Sequence, residues 1–317
     1  MNTENRREFI RGAMGSVAAA GALSRSVSLA ATRKMKMCLH TGNIGVKADL
    51  QEQIAMAAKY GFEAADPSLN ELAALSDSAM SRLLDDLAAK KLELGSVVQA
   101  VPVAQPDEKF AEYIKGLTAT AKTLQRARMK RFCTRLSSSD NRLTYLQNFR
   151  LHTKRIGEAA AVLGDYGISF GLEYVGPKTE WSRGKYPFIH TLETMKELIA
   201  ETGKRNFGHL LDSWHWYNAG DTVADLLTLK NSDIVAVHIS DAPAGLKLEE
   251  QVDSRRGLPI ETGVIDIGAF LNALNQVGYD GPVAAEPMSA ELRKLPPEEA
   301  LSRTAQAMKK AFALIQA

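Results

Sequence analysis

Four side chains able to bind a metal ion recur at one kind of place in the sequence, the last residues of short apolar runs: Glu173 in GLEY, Asp212 in LLDSWH, His238 in AVHISD and Glu286 in AAEP. Three carboxylates brought together without a cation would repel one another and hold their protons more tightly, so a shared site calls for one divalent ion. Three oxygen ligands and one imidazole suit Mn²⁺, Mg²⁺ or Co²⁺ ahead of Zn²⁺, whose structural sites favour sulfur. Taken singly, each acid could instead cap the helix after its run, and His238 could be a core histidine. Their recurrence in four consecutive units is what argues for a common centre.

The elements that must position these residues follow from the hydrophobic pattern. Strand candidates fall at 35–40, 62–66, 92–98, 129–134, 167–174, 206–212, 232–239 and 281–286. Amphipathic helical segments alternate with them at 48–60, 76–91, 107–126, 143–164, 191–202, 222–229, 267–277 and 297–316. Leu50, Ile54, Ala57 and Ala58 show the helical spacing, and Gly61 stops that helix; Gly164 and Gly278 fall at the ends of helical patterns in the same way. Eight strand-plus-helix units predict an α/β fold, either a doubly wound sheet or a (β/α)8 TIM barrel. The first strand is followed by Thr41-Gly42-Asn43-Ile44-Gly45, which lacks the G-x-G-x-x-G spacing of an open dinucleotide-binding sheet, so the barrel is expected, as a single domain over 31–317. In a barrel the C-terminal strand ends converge on one mouth, and alternation puts Glu173 with Ser169 and Gly171 on one face, opposite the bulky Ile168, Phe170, Leu172 and Tyr174. Gly208, Ala236 and Ala284 share faces with Asp212, His238 and Glu286 in the same manner.

Residues 1–30 read differently. Paired arginines at Arg6-Arg7, a weakly apolar Ala/Gly/Ser run over 13–22 and the small-residue sequence Ser28-Leu29-Ala30 have the layout of a bacterial twin-arginine export signal. That predicts a partner in the twin-arginine machinery and a periplasmic or secreted location. The segment carries Arg6, Arg7, Arg11 and Arg25 against Glu4 and Glu8, which is +2, the whole of the chain's formal net charge of +2. The remainder is close to neutral, so no nucleic-acid partner is expected. No run of about 18 apolar residues predicts stable membrane insertion. Cys38 and Cys133 make no disulfide framework and read as two buried thiols.

On these residues the chain resembles the sugar phosphate isomerase/epimerase superfamily, the xylose isomerase-like TIM barrels. The matching pieces are G-x-x-x-G-L-E-Y ending at Tyr174, L-D-x-x-H ending at His215, V-H-I-S-D ending at Asp241 and G-Y-D-G-P-V-x-x-E-P ending at Pro287. Arg256-Gly257-Leu258-Pro259 looks like the family's loop after strand seven, although Ile260-Glu261-Thr262-Gly263 departs from the Gly-Glu-Gly common there. The resemblance implies metal ligation by Glu173, Asp212, His238 and Glu286, and an acid/base role for Glu173 and Glu286 on opposite faces of a substrate. Proton transfer beside a carbonyl needs such a base and acid, together with an electrophile for the enediolate oxygens. It also implies a substrate-polarising role for His215 and a substrate contact from Arg256 or Arg255.

Other substrate contacts are weaker readings. His40 ends strand one, where it could face the pocket or pack at the rim. The loop 175–188 could wall the pocket, with Trp181, Arg183 or Lys185 on substrate hydroxyls, or simply cover the rim. Trp214, Trp216 and Tyr217 could stack on a sugar or pack; His152, His190 and His209 read as structural. The function expected is a metal-dependent isomerase or epimerase on an unphosphorylated sugar or derivative. The alternative is a keto-sugar or keto-glycoside lyase or hydrolase on the same metal site. An endonuclease IV-like phosphodiesterase fits poorly with six histidines and a near-neutral chain, and a non-catalytic sugar-binding barrel would not need two opposed glutamates. Monomer and homo-oligomer are both open.

Overall fold

The computed structural model describes residues 33–316; the export-signal reading of 1–30 lies outside them. Eight parallel strands alternate with helices: β1 (Lys36–Leu39), β2 (Ala64–Ala65), β3 in two pieces (Glu93–Leu94 and Val97–Val98), β4 (Arg131–Arg135), β5 (Ser169–Glu173), β6 (Phe207–Asp212), β7 (Ile234–Ile239) and β8 (Pro282–Ala285). The first strand pairs with the last, Lys36 to Pro282 and Cys38 to Ala284. The first piece of β3 pairs with β2 and the second with β4, so the sheet closes through that one run and the barrel is complete.

The sequence pattern makes β3 continuous; the structure breaks it at Gly95-Ser96. Asp66, just past β2, accepts hydrogen bonds from the Ser96 amide (2.5 Å) and hydroxyl (3.3 Å). A Cβ on residue 95 would lie 2.3 Å from Asp66 Oδ1, so only glycine leaves room for this side chain.

Strand parity sorts side chains as expected for a barrel. Met37, Leu39, Phe170, Leu172, Leu211, Val237, Val283 and Ala285 join the large core between sheet and helices. Cys38, Ala64 and Ala284 form one separate cluster, and Cys133, Leu210, Val235 and Ala236 another, which are the barrel's own interior. Both thiols are buried and unpaired. Small interior residues let the strand ends carry long polar side chains inward at the mouth. Helix starts are fixed by side-chain caps: Asp49 and Glu52 form a capping box on the helix Leu50–Tyr60, and Thr144 with Gln147 does the same on Tyr145–Gly164. Over the mouth, Tyr186–Pro187 pairs antiparallel with Ser139–Asp140, which ties the 175–188 loop to the segment after β4. Among the described residues, no helix is long and apolar enough to cross a membrane.

Candidate metal centre

The strand ends bring Glu173 (β5), Asp212 (β6), His238 (β7) and, one residue past β8, Glu286 to one point, each offering a ligand atom within 4.8 Å of the others. His238 Nδ1 lies 3.5 Å from Glu286 Oε2 and 3.8 Å from Glu173 Oε1. All four are largely buried; Glu286, with 18% of its side chain exposed, is the most open.

Their hydrogen bonding is conspicuously incomplete. Glu173 Oε1 and both ring nitrogens of His238 are buried without any hydrogen-bond partner. Buried polar atoms ordinarily find partners, and orphaned ones clustered among carboxylates call for a ligand. Three carboxylates and one imidazole form a donor set suited to a divalent ion, so the residues fit the group.

Electrostatics point the same way. Burial, then the negative charges of Glu286 and Asp212, pushes Glu173 up to about 8. Burial also raises Asp212, to about 6, against the opposing pull of Arg256. Burial works against the charged form of His238, but Glu286, Glu173 and Asp212 outweigh it and carry the ring up to about 10. For Glu286 the balance reverses: burial favours the acid, yet His238 and Arg256 hold it well below the ordinary carboxylate value. Without a cation, the two glutamates in this pocket are thus pushed in opposite directions, Glu173 toward the acid and Glu286 toward the base.

Arg256 stands among these carboxylates. Its Nη1 donates to Asp212 Oδ2 (2.9 Å) and Glu286 Oε2 (2.8 Å), and Nη2 donates to Asp253 Oδ1 (2.6 Å). Asp253 in turn pairs with Arg135 at 3.3 Å. Of the two candidate arginines, therefore, Arg256 is the one on the site. Asp253 and Arg135 went unnoticed in the sequence; the acidic residue three positions before Arg256 was the available signal.

His215 is fully buried in the helix Ser213–Ala219, not on the surface. Burial and the nearby Arg256 hold it well below its ordinary value, so the ring is neutral. The Gly176 amide points at Nδ1 (3.4 Å), and Nε2 faces Arg256 Nη2 (3.3 Å), Asp253 Oδ1 (3.9 Å) and Glu173 Oε2 (4.0 Å). A neutral ring has one lone pair, so it accepts either from the Gly176 amide at Nδ1 or from Arg256 at Nε2, and the other nitrogen carries the proton. Gly176 is required for this approach, since a Cβ there would lie 2.3 Å from His215 O. Asp212 also keeps its capping role, accepting from Trp214 N at 2.6 Å.

The remaining expectations place differently. His40 sits at the rim as a cap: its Nδ1 accepts from Asn43 N (3.0 Å), and Asn43 Nδ2 donates to Ala285 O next to Glu286. Trp181 stacks on His190 with ring centroids 4.7 Å apart, so one ring face is taken by the loop's own neighbour. Trp214 and Trp216 belong to the core, Trp216 against Phe270, and are not stacking platforms. Asp241, three residues past His238, accepts four backbone amides, from Ala242, Thr262, Gly263 and Ile265 at 2.7–2.9 Å, and pins the loop that carries Arg256. Beside the cluster, a polar cavity of about 370 Å³ is lined by Arg135, Ser137, Ser138, Ser139, Asn141 and Arg183, among others.

A family profile described as xylose isomerase-like TIM barrel matches residues 54–311. An inosose isomerase of Bacillus velezensis is 22% identical over 274 residues, 84% of this chain and 93% of that protein. Among solved structures, a xylose isomerase domain protein from Alicyclobacillus acidocaldarius superposes with a TM-score of 0.76 at 28% identity, covering 88% of this chain and 99% of that one. The IOLI protein, solved with a bound zinc atom, gives 0.74 at 19% identity, over 88% and 98%.

Proposed function

Because the chain belongs to the xylose isomerase-like TIM barrel family, we propose that it is a metal-dependent sugar isomerase or epimerase that moves a proton next to a carbonyl of an unphosphorylated sugar or cyclic keto-polyol. The observation that carries this reading is the cluster itself: Glu173, Asp212, His238 and Glu286 converge on one buried centre, with Glu173 Oε1 and both His238 ring nitrogens left without partners. The name of the Bacillus velezensis relative supports the same class of reaction.

In this reading Glu173, Asp212, His238 and Glu286 hold one divalent ion. When bound, that ion supplies positive charge to adjacent substrate oxygens as negative charge develops on them. Mn²⁺, Mg²⁺ and Co²⁺ suit the donor set, and the zinc in the IOLI structure puts Zn²⁺ beside them. One glutamate removes the proton from carbon and the other returns one from the opposite face. The Arg256 guanidinium, held against Asp212 and Glu286 beside the neutral His215 ring, donates to the oxygen that gains charge. Export of residues 31–317 through a twin-arginine signal is part of the proposal, and an unphosphorylated substrate is the kind met outside the cytoplasm.

The cavity beside Arg135 favours a second reading. Its hydroxyl and amide lining leaves room for a glycosidic group beyond the metal, with elimination in place of reprotonation. One experiment tests both. The protein is loaded with Mn²⁺ in D₂O and given ketoses, inososes and keto-glycosides, with C–H loss followed by NMR. Exchange beside the carbonyl, absent in Glu286→Gln, supports the proposal, and the products separate epimer from elimination. A protein that binds no divalent ion sinks it.

A further inference from the structure

A further cavity lies away from the candidate metal centre. It opens at the other end of the barrel, where the strands begin, with a volume of about 550 Å³, within the range of small-molecule sites. Five cations line it: Lys34, Lys36, Arg128, Lys130 and Arg131. Two acids also line it, each already paired with one of them: Glu93 with Lys36 at 3.7 Å and Asp280 with Arg131 at 3.2 Å. Five cations against two acids leave a net +3, and among the described residues Lys34, Arg128 and Lys130 have no carboxylate within 4.0 Å. Arg131 Nε is buried with no hydrogen-bond partner. The wall between these charges is apolar, formed by Leu84, Leu87 and Leu94.

The turns at this end supply an internal control. Six helix-to-strand turns contain a residue in the left-handed region: Gly61, Gly167, Gly203 and Gly278, but Lys91 (φ 55°) and Arg128 (φ 56°). Glycine adopts this conformation without steric cost, whereas a side chain there is strained. The two exceptions precede adjacent strands, β3 and β4, and flank the cavity: Arg128 lines it directly, and Lys91 adjoins its lining residue Leu92. The strained turn at Arg128 thus coincides with the basic lining of the cavity.

The geometry points to a second binding site, at the strand-start end of the barrel, for a small organic anion that carries a phosphate or carboxylate group on an apolar body. The anion would sit among Arg128, Lys130 and Arg131, with its apolar part on Leu84 and Leu87. This inference is independent of the chemistry proposed for the metal end.

Phenyl phosphate is a suitable probe, with inorganic phosphate and phenol as its two halves and citrate as the carboxylate arm. Binding to the full-length protein is followed by calorimetry at two salt concentrations. Phenyl phosphate is expected to bind at least tenfold more tightly than either half, and to weaken as salt rises. Arg128→Gly is the deciding variant, because glycine suits the left-handed turn. It should melt no lower than wild type yet bind phenyl phosphate at least tenfold more weakly, and Lys130→Gln should weaken binding as well. Glu286→Gln should bind the probe like wild type, which separates this site from the metal. The inference is overturned if neither phenyl phosphate nor citrate binds, if phenol binds as well as phenyl phosphate, or if Arg128→Gly binds the probe undiminished.

Discussion

Two sets of buried carboxylates sit side by side at the barrel mouth, and they are treated in opposite ways. Asp241 is wholly buried, and its two oxygens take four backbone amides from its own strand end and the loop 262–265. Three residues earlier, on β7, His238 faces Glu173 and Glu286, with both of its nitrogens and Glu173 Oε1 unpartnered. A buried charge satisfied by fixed amide dipoles is structural, because nothing is left for a ligand to do. A group of buried charges satisfied mainly by one another and by a single arginine is unfinished, and is completed by what it binds. Residue type and strand-end position do not distinguish these cases; the count of amide donors does.

That contrast can be broken by exchanging what each carboxylate lacks. The largest effect is expected for Glu286→Gln: turnover should fall about 10³-fold, the scale of losing a general acid or base. The metal-free variant should keep a cooperative fold while melting somewhat lower, since the bond from Arg256 and the pairing with His238 are weakened. Loss of the cooperative unfolding transition would make Glu286 structural. Asp241→Ala should do the reverse, leaving buried amides unpaired and costing about 3 kcal/mol by denaturant titration. Unchanged stability there would erase the distinction.

A smaller effect is expected of the ion itself. At a free concentration of 100 times Kd it should stabilise the fold by about 2.7 kcal/mol, read as a melting shift on chelation. The stripped protein should also be pH-sensitive in a definite direction. Glu173 is raised from 4.5 to about 8 and His238 from 6.5 to about 10, so protonation of both favours folding. Their contribution is whole below the ordinary values and is lost as pH climbs through 8 and 10. The melting temperature of stripped protein should therefore fall between pH 6 and pH 10, and added metal should flatten that fall. A flat profile without metal would mean the cluster is already satisfied. Trp181→Ala should matter least: about 1 kcal/mol of stability for the lost stacking on His190, with activity changed less than about threefold.

Much of this architecture was legible in the sequence because two simple periods write it. Alternation along 167–174 already separates Phe170 and Leu172 from Gly171 and Glu173, and the structure puts the first pair against the helices. The four cluster residues are found by their shared position at strand ends, a regularity that survives without knowing the loops. What stayed hidden depends on contacts between distant segments. The break in β3 is caused by Asp66, from a neighbouring strand, taking the Ser96 amide. Within 92–98 only Gly95 hints at a close approach, and it does not say that Asp66 is what approaches. Arg256 was visible as a loop residue, but not its bridge between Asp212 and Glu286, 44 and 30 positions away. Trp214 and Trp216 read equally well as platforms or as packing until the helix after β6 is turned inward.

The pairing of β1 with β8 has a consequence for how the molecule comes to exist. All four cluster residues belong to the last four strand units, and the fourth, Glu286, follows the strand that closes the barrel against residues 36–38. A chain emerging from the ribosome in order can assemble early strand and helix units as they appear. It cannot zip its first strand to its last, nor complete the four-ligand set, until synthesis has passed residue 286. Metal held by all four ligands would therefore be a property only of a chain synthesised past residue 286, and its uptake would report, in a single binding event, that the barrel has shut.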